Sequence, residues 1–263
     1  MLLEQINNSL SSAQNRNMSG GIMGKNLKIT DNGSGQLTLS GDILITLKVL
    51  DLTSYSTSRL QSLMKFTEQT IMSKLRGGAY GEQAIFYEYN SAKRSFTNKQ
   101  HTYSIRYNFS YTARVIQINS LSQLSGNDFV LALVDDIGHR FTDIYGRKHA
   151  SGGLTQASGG PATVIYSEWE KDNLIGVHEF FHTLGLLDLE ENGLENRLMY
   201  HLGKVGSNVT NKEKAIMNQF IMYDLRNMTR SNYSNPGNNT VNQLRTFLND
   251  TSNGFKYNKA KFR

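Results

Sequence analysis

HEFFHTLGLLD, residues 178 to 188, is the stretch on which the reading of this chain turns. His178 and His182 are four residues apart. On a helix that spacing puts both imidazoles on one face, one turn apart, so both can reach a single metal ion. Glu179 is rotated ~100° from His178 on the same helix, which frees it to work on a metal-activated water beside the ion. Gly185 stands where such a helix would end, and a left-handed backbone there costs glycine nothing, so the chain can turn back toward the metal. Asp188 follows three residues later and is the candidate third ligand, with Glu190 and Glu191 next in order. An acid beside a helix C-terminus is electrostatically unfavourable unless a cation offsets it.

Working outward, ATVIY (162 to 166) reads as a strand. SEWEKDNLIGVHEFFHTLG reads as the helix that carries the histidines, with Leu174, Val177, Phe181 and Leu184 on a shared apolar face. Ser167 with Glu170 could form a capping box, or Asp172 or Asn173 could cap a later start. After the histidines come a polar, acidic loop, the segment LMYHLG, and a helix over 211 to 225. Upstream, DFVLALVDD (128 to 136) is a continuous apolar run suited to a central strand buried on both faces. Residues 137 to 161 form a glycine-rich connection in which GGLT (152 to 155) is a candidate edge strand.

Earlier still, HTYSIRYNFSYTARVIQI (101 to 118) is one bent strand or a hairpin. SRLQSLMKFTEQTIMSKL (58 to 75) is an amphipathic helix, with Leu60, Leu63, Met64, Ile71, Met72 and Leu75 at three- and four-residue spacing and Gly77 and Gly78 at its end. ILITLKVL (43 to 50) is β-forming. Asn32-Gly33-Ser34-Gly35 is a turn signal between two β-like runs, so a hairpin is expected there. Residues 1 to 26 read as a polar arm. The economical organisation is an arm and hairpin extension over 1–40, one domain over 41–228, and a basic polar extension over 229–263.

Composition narrows the chemistry. With 263 residues and 38% hydrophobic content the chain can bury a core. It has no Cys, which excludes disulfides, thiolate metal sites and cysteine nucleophiles. The six histidines and the carboxylates must supply any transition-metal site. The net charge is +6, and nearly all of it lies after Thr229, where six basic residues face the single acid Asp250. A solvated tail accounts for that charge, so nucleic acid is not expected as a partner. No run approaches the ~20 apolar residues of a membrane span. The opening MLLEQINNSLSSAQ lacks the basic and continuous apolar regions of a secretory signal peptide.

The chain resembles the metzincin zinc metallopeptidases, through His178-Glu179-Phe180-Phe181-His182-Thr183-Leu184-Gly185-Leu186-Leu187-Asp188 followed by Leu198-Met199-Tyr200. Asp in place of the usual third histidine looks like the snapalysin-type variant. The resemblance implies an α/β (α+β) fold: a twisted mixed sheet, a backing helix, the active-site helix and a C-terminal helix after a methionine turn. It implies one catalytic Zn2+ held by His178, His182 and Asp188, with Met199 beneath it and Glu179 as general base. Some family members carry Tyr two residues after the turn Met. Here His201 takes that place and Tyr200 lies one residue early, which leaves both as candidate cleft residues. The implied activity is endopeptidase cleavage of a peptide held in extended form, for which GGLT offers an edge. Eight acids against Lys171 and Arg197 between Ser167 and Tyr200 would favour basic peptides; a solvated helix and loop face explains them equally well. A looser likeness, to cysteine-free metallopeptidase domains at the ends of secreted bacterial effectors and toxins, bears on localisation alone, where a cytosolic protein, export by another route and a part of a longer secreted precursor all stay open. The rival expectations are an inactive zinc-bound peptide-binding module and a zinc amidase acting on a non-peptide bond.

Overall fold

The structure is a computed structural model. It describes residues 16–17, 21–90, 92–93, 95–125, 128–143, 145–156, 160–191, 193–201, 205–221 and 240–262. In chain order the strands are β1 (Arg16–Asn17), β2 (Ile22–Asp31), β3 (Gln36–Asp51), β4 (Ala79–Asn90), β5 (Ser95–Ile118), β6 (Phe129–Val134), β7 (Arg140–Thr142), β8 (Lys148–Ala150), β9 (Gly153–Thr155) and β10 (Ala162–Ile165). The helices among the described residues are α1 (Leu60–Leu75), α2 (Tyr166–Lys171), α3 (Ile175–Thr183), α4 (Asn211–Ile221) and α5 (Thr240–Asn249). The protein is thus mixed α/β, with a mixed sheet and five described helices. None of the helices is long and apolar enough to cross a membrane.

The chain's contacts group into two interleaved units. One is Met1–Ile45, Leu75–Thr112 and Thr210–Pro236; the other is Thr46–Lys74, Ala113–Val209 and Gly237–Arg263. Strands β3 and β5 each run from one unit into the other.

In the first unit, β2 and β3 form the expected hairpin, closed by Asn32 to Gly35, with Gly33, Ser34 and Gly35 all at positive φ. Strand β2 begins earlier than the polar composition suggests. Ile22 is fully buried and pairs with Ile45, and Met23 and Gly24 pair with Asn17 and Arg16. One buried apolar residue therefore converts the end of the expected arm, residues 22–26, into strand; 1–15 and 18–20 lie outside the described residues. Strand β5 is a single strand of 24 residues, not a hairpin. Ile105, Tyr107 and Phe109 are buried while Arg106, Asn108 and Ser110 alternate with them in solvent. Its antiparallel partner β4 was not anticipated. Helix α4 packs against β4, and its Asn218 carboxamide oxygen accepts the buried hydroxyl of Tyr111. The last residues of the helix expected over 211 to 225, from 222 on, lie outside the described residues.

In the second unit, β6 is buried at all six positions, as its continuous apolar run predicts. It lies parallel to the end of β3 on one side and to β10 on the other; β9 pairs antiparallel with β10 and has no other strand neighbour among the described residues. On one face, Val130, Ala132 and Val134 cluster with Leu50, Leu244 and Leu248. On the other, Phe129 meets Phe180 of α3 edge-on, with centroids 5.2 Å apart. Residues 240–262 are therefore part of the packed body rather than a solvated extension. Leu244 and Leu248 of α5 supply one layer of the core. Lys256 pairs with Asp136, and the Asn258 amide donates to Leu52 O.

Candidate metal centre

The segment expected as one helix before the histidines is two. Helix α2 ends at Lys171 and α3 begins at Ile175. Ser167 and Glu170 make no capping box, because Ser167 lies inside α2 and the residue before that helix is Ile165. Asp172 fills the break: its Oδ1 accepts the Leu174 amide at 3.0 Å and its Oδ2 accepts the Val205 amide at 3.0 Å. Trp169 folds back from α2 with its indole against α3. A Cβ on Gly176 would lie 2.7–2.8 Å from that ring, so glycine is what lets the two helices meet. Helix α3 then buries Val177, Phe180 and Phe181, which fixes the direction in which His178 and His182 point.

Each histidine is held by its inner nitrogen. His178 Nδ1 donates to Leu198 O at 2.8 Å, and His182 Nδ1 donates to Leu186 O at 2.8 Å. Those bonds fix the tautomer: with the proton on Nδ1, each neutral ring presents an Nε2 lone pair. The two Nε2 atoms are 3.1 Å apart, and Asp188 Oδ1 lies 3.2 Å from each. Three polar atoms thus face one another in a nearly equilateral triangle, which is repulsive unless a proton or a metal cation stands among them. Ligands about 2.0–2.1 Å from a tetrahedral zinc ion are about 3.3 Å apart. The spacing, the nitrogen and oxygen donors and the backbone-bonded Nδ1 atoms all fit such an ion.

The turn that aims Asp188 comes where glycine was expected to make it. Gly185 has φ +91°, and the Leu186 amide returns to Phe181 O. Of the other acids, Glu190 Oε1 is 3.3 Å from His201 Nε2, and Glu191 is exposed. Glu179 is buried, and one of its carboxylate oxygens lies within 4.8 Å of a ring nitrogen of each histidine. That carboxylate is bonded elsewhere, with the Thr155 hydroxyl donating to its Oε2 at 2.7 Å. Asp188 Oδ1, at 3.2 Å from both Nε2 atoms, forms the third corner of the triangle.

Met199 is fully buried, and its turn is stitched to the site on both sides. Leu198 O takes the His178 proton, and Met199 O accepts the Leu189 amide at 2.8 Å. His201 lines the cleft while Tyr200 packs inward. His201 Nδ1 is 3.0 Å from Asp188 Oδ1, but neither of its nitrogens has a partner in hydrogen-bonding alignment. Phe141 braces that ring edge-on, with centroids 4.4 Å apart, and His149 stacks on Phe141.

The electrostatics follow from burial and crowding. Burial opposes charge on His182, but Asp188 and Glu179 overcome it and raise its pKa to about 9. Burial would raise Asp188, yet the three histidines around it hold its carboxyl far below the usual carboxylate range. Burial raises Glu179, with His178, His182 and Thr155 acting in the opposite sense. Glu179 so placed is a better proton acceptor than a surface carboxylate.

The site opens into a cleft of about 530 Å³. Its walls include β9, Phe141, Ile175, Leu187 and the acids Glu168 and Glu190. Two wall features had no signal in the sequence: the β7–β8 hairpin, which reads only as a glycine-rich connection, and Thr155, which reaches Glu179 only because β9 is the outer strand. Comparison of the chain with protein-family models, with curated proteins and with solved structures finds no match.

Proposed function

We propose that this chain is a zinc-dependent endopeptidase of metzincin type. The observation that carries the reading is the convergence of His178 Nε2, His182 Nε2 and Asp188 Oδ1 to 3.1–3.2 Å, with both Nδ1 atoms committed to backbone carbonyls. His178, His182 and Asp188 would hold the ion. Zinc in that position supplies Lewis-acid polarisation of a peptide carbonyl and an acidified water. Glu179 accepts a proton from the attacking water and passes it to the departing amine. Its burial, and the resulting upward shift, suit both halves of that transfer.

Strand β9 pairs with β10 alone among the described residues and lies along the cleft, so an extended peptide could add there through backbone hydrogen bonds. Glu168 and Glu190 on the wall favour basic side chains. The mixed sheet, the helix carrying the histidines and the methionine-containing turn support the family reading. The test is metal analysis together with cleavage of a quenched fluorogenic peptide library, on the wild type and on Glu179→Gln. One zinc per chain in both, with cleavage by the wild type alone, is the expected result. A zinc-loaded, folded wild type that cleaves no peptide would sink the endopeptidase reading.

A further inference from the structure

Gly153 and Thr155 are two residues apart on β9, so they share one face of the strand. That face is turned toward Glu179. A Cβ on Gly153 would lie 2.5 Å from Glu179 Cγ and Oε1 and 2.6 Å from its Cδ, so the carboxylate rests in the space that only a glycine leaves. Thr155 Oγ1 lies 2.7 Å from Oε2 and 3.0 Å from the main-chain oxygen of the same residue. Among the described residues, the Thr155 hydroxyl is the hydrogen-bond donor to this buried carboxylate. A glutamate side chain has three rotatable bonds and no intrinsic preference for one aim. The strand removes that freedom, by contact at one oxygen and by a hydrogen bond at the other.

We propose that Thr155 is a positioning residue for Glu179. Its hydroxyl takes up Oε2, and Oε1, in the space above Gly153, is left to face the reacting water. This rests on the reading of Glu179 as the general base. It also places two tasks on one three-residue strand, since the edge that offers itself to an extended peptide is the edge that aims the base. Threonine suits both tasks: it is β-branched, as an outer strand favours, and it carries a donor that valine lacks.

The test uses the zinc-loaded full chain. Thr155→Val preserves shape and strand preference while removing the donor; Thr155→Ser keeps the donor. For Thr155→Val, kcat on a cleaved peptide should fall about 10–100-fold, as expected when a reacting group is slightly misplaced. KM and zinc affinity by chelator competition should stay near wild type. Thr155→Ser should recover most of the loss. Gly153→Ala, which displaces the carboxylate and removes no polar group, should lower kcat in the same way with zinc retained. A Thr155→Val enzyme with wild-type kcat overturns the proposal. So does a Thr155→Ser enzyme as impaired as Thr155→Val, or a loss of zinc affinity in step with kcat, since either would mark a packing role. If the zinc-loaded wild type cleaves nothing, the endopeptidase reading fails and this inference falls with it. If the wild type cleaves and Thr155→Val cleaves equally well, only this inference fails.

Discussion

If His178, His182 and Asp188 hold zinc as proposed, a proton on His182 competes with the ion. Burial opposes charge on His182, but the Asp188 carboxylate raises it to about 9. A raised histidine contributes stability that is fully present below its ordinary value near 6.5 and is lost as pH rises through about 9. Zinc needs the neutral ring, so binding must displace that proton. Zinc affinity, measured by chelator competition at pH 7, 8 and 9, should therefore rise about tenfold per unit and level off above 9. The metal-free protein should lose thermal stability over the same interval. A flat affinity would mean that His182 is not protonated when the metal arrives. The third corner has its own test. Asp188→Ala should weaken zinc binding by at least about 100-fold, while Glu190→Gln should keep it, because Glu190 meets His201 and not the two Nε2 atoms. The reverse pattern in zinc content would reassign the ligand.

The break between α2 and α3 is where reading by periodicity fails. From Ser167 to Leu184 the apolar spacing is good enough for one helix, but Asp172, one of the two residues offered as a cap for a later start, bonds two backbone amides and ends the first segment. The same limit hid β4, whose pairing with β5 is a tertiary fact. By contrast β6, α1, the β2–β3 hairpin and the outer strand β9 were all legible, because burial on both faces, helical spacing, turn glycines and a short run beside glycines are local signals. At the site, His178, Glu179, His182 and the turn at Gly185 were legible from spacing alone. Thr155 and Phe141 were not, since strand pairing alone brings them there. Gly176 gives this a stability test. On helix propensity alone Gly→Ala should stabilise by about 1 kcal/mol. Here the new Cβ would lie 2.7–2.8 Å from the Trp169 ring. Overpacking against a buried indole should reverse the sign, so Gly176→Ala should cost about 1–3 kcal/mol in urea unfolding.

The β7–β8 hairpin is a second element with a consequence for the site. Asp143 is fully covered, accepts the amides of Tyr145 and Arg147, and holds Arg147 Nε and His149 Nε2. Burial would raise its carboxyl, but those donors hold it well below the usual range. A lowered acid contributes stability that is present above its ordinary value near 3.8 and lost only in stronger acid. The hairpin should therefore stay closed through mildly acidic pH, and Asp143→Ala should open it at neutral pH. Faster amide exchange at Tyr145 and Arg147, with β6 still protected, is the expected reading. Unchanged exchange would show that strand pairing alone closes the loop.

At the scale of the whole molecule, the second unit buries its sheet on two faces by different means. One face is covered by α3, which carries the histidines, and Phe180 is its contact with β6. The other is covered by α5, which comes from a segment whose composition is polar and basic. Charge marked that segment as a solvated extension because Leu244, Phe247 and Leu248 are only three residues among many Asn, Ser and Lys. Their helical spacing places them on one face, and all three are buried. Loss of that layer would leave Val130, Ala132 and Val134 facing water on the back of the strand that supports Phe180. The energetics of the tail should then follow its apolar residues and not its charges. Leu244→Ala, at a fully buried position, should cost about 2–5 kcal/mol in urea unfolding. Lys259→Ala, at an exposed position, should cost less than about 0.5 kcal/mol. Equal small effects from the two substitutions would mean that α5 is an appendage after all, and that β6 is supported from one face only.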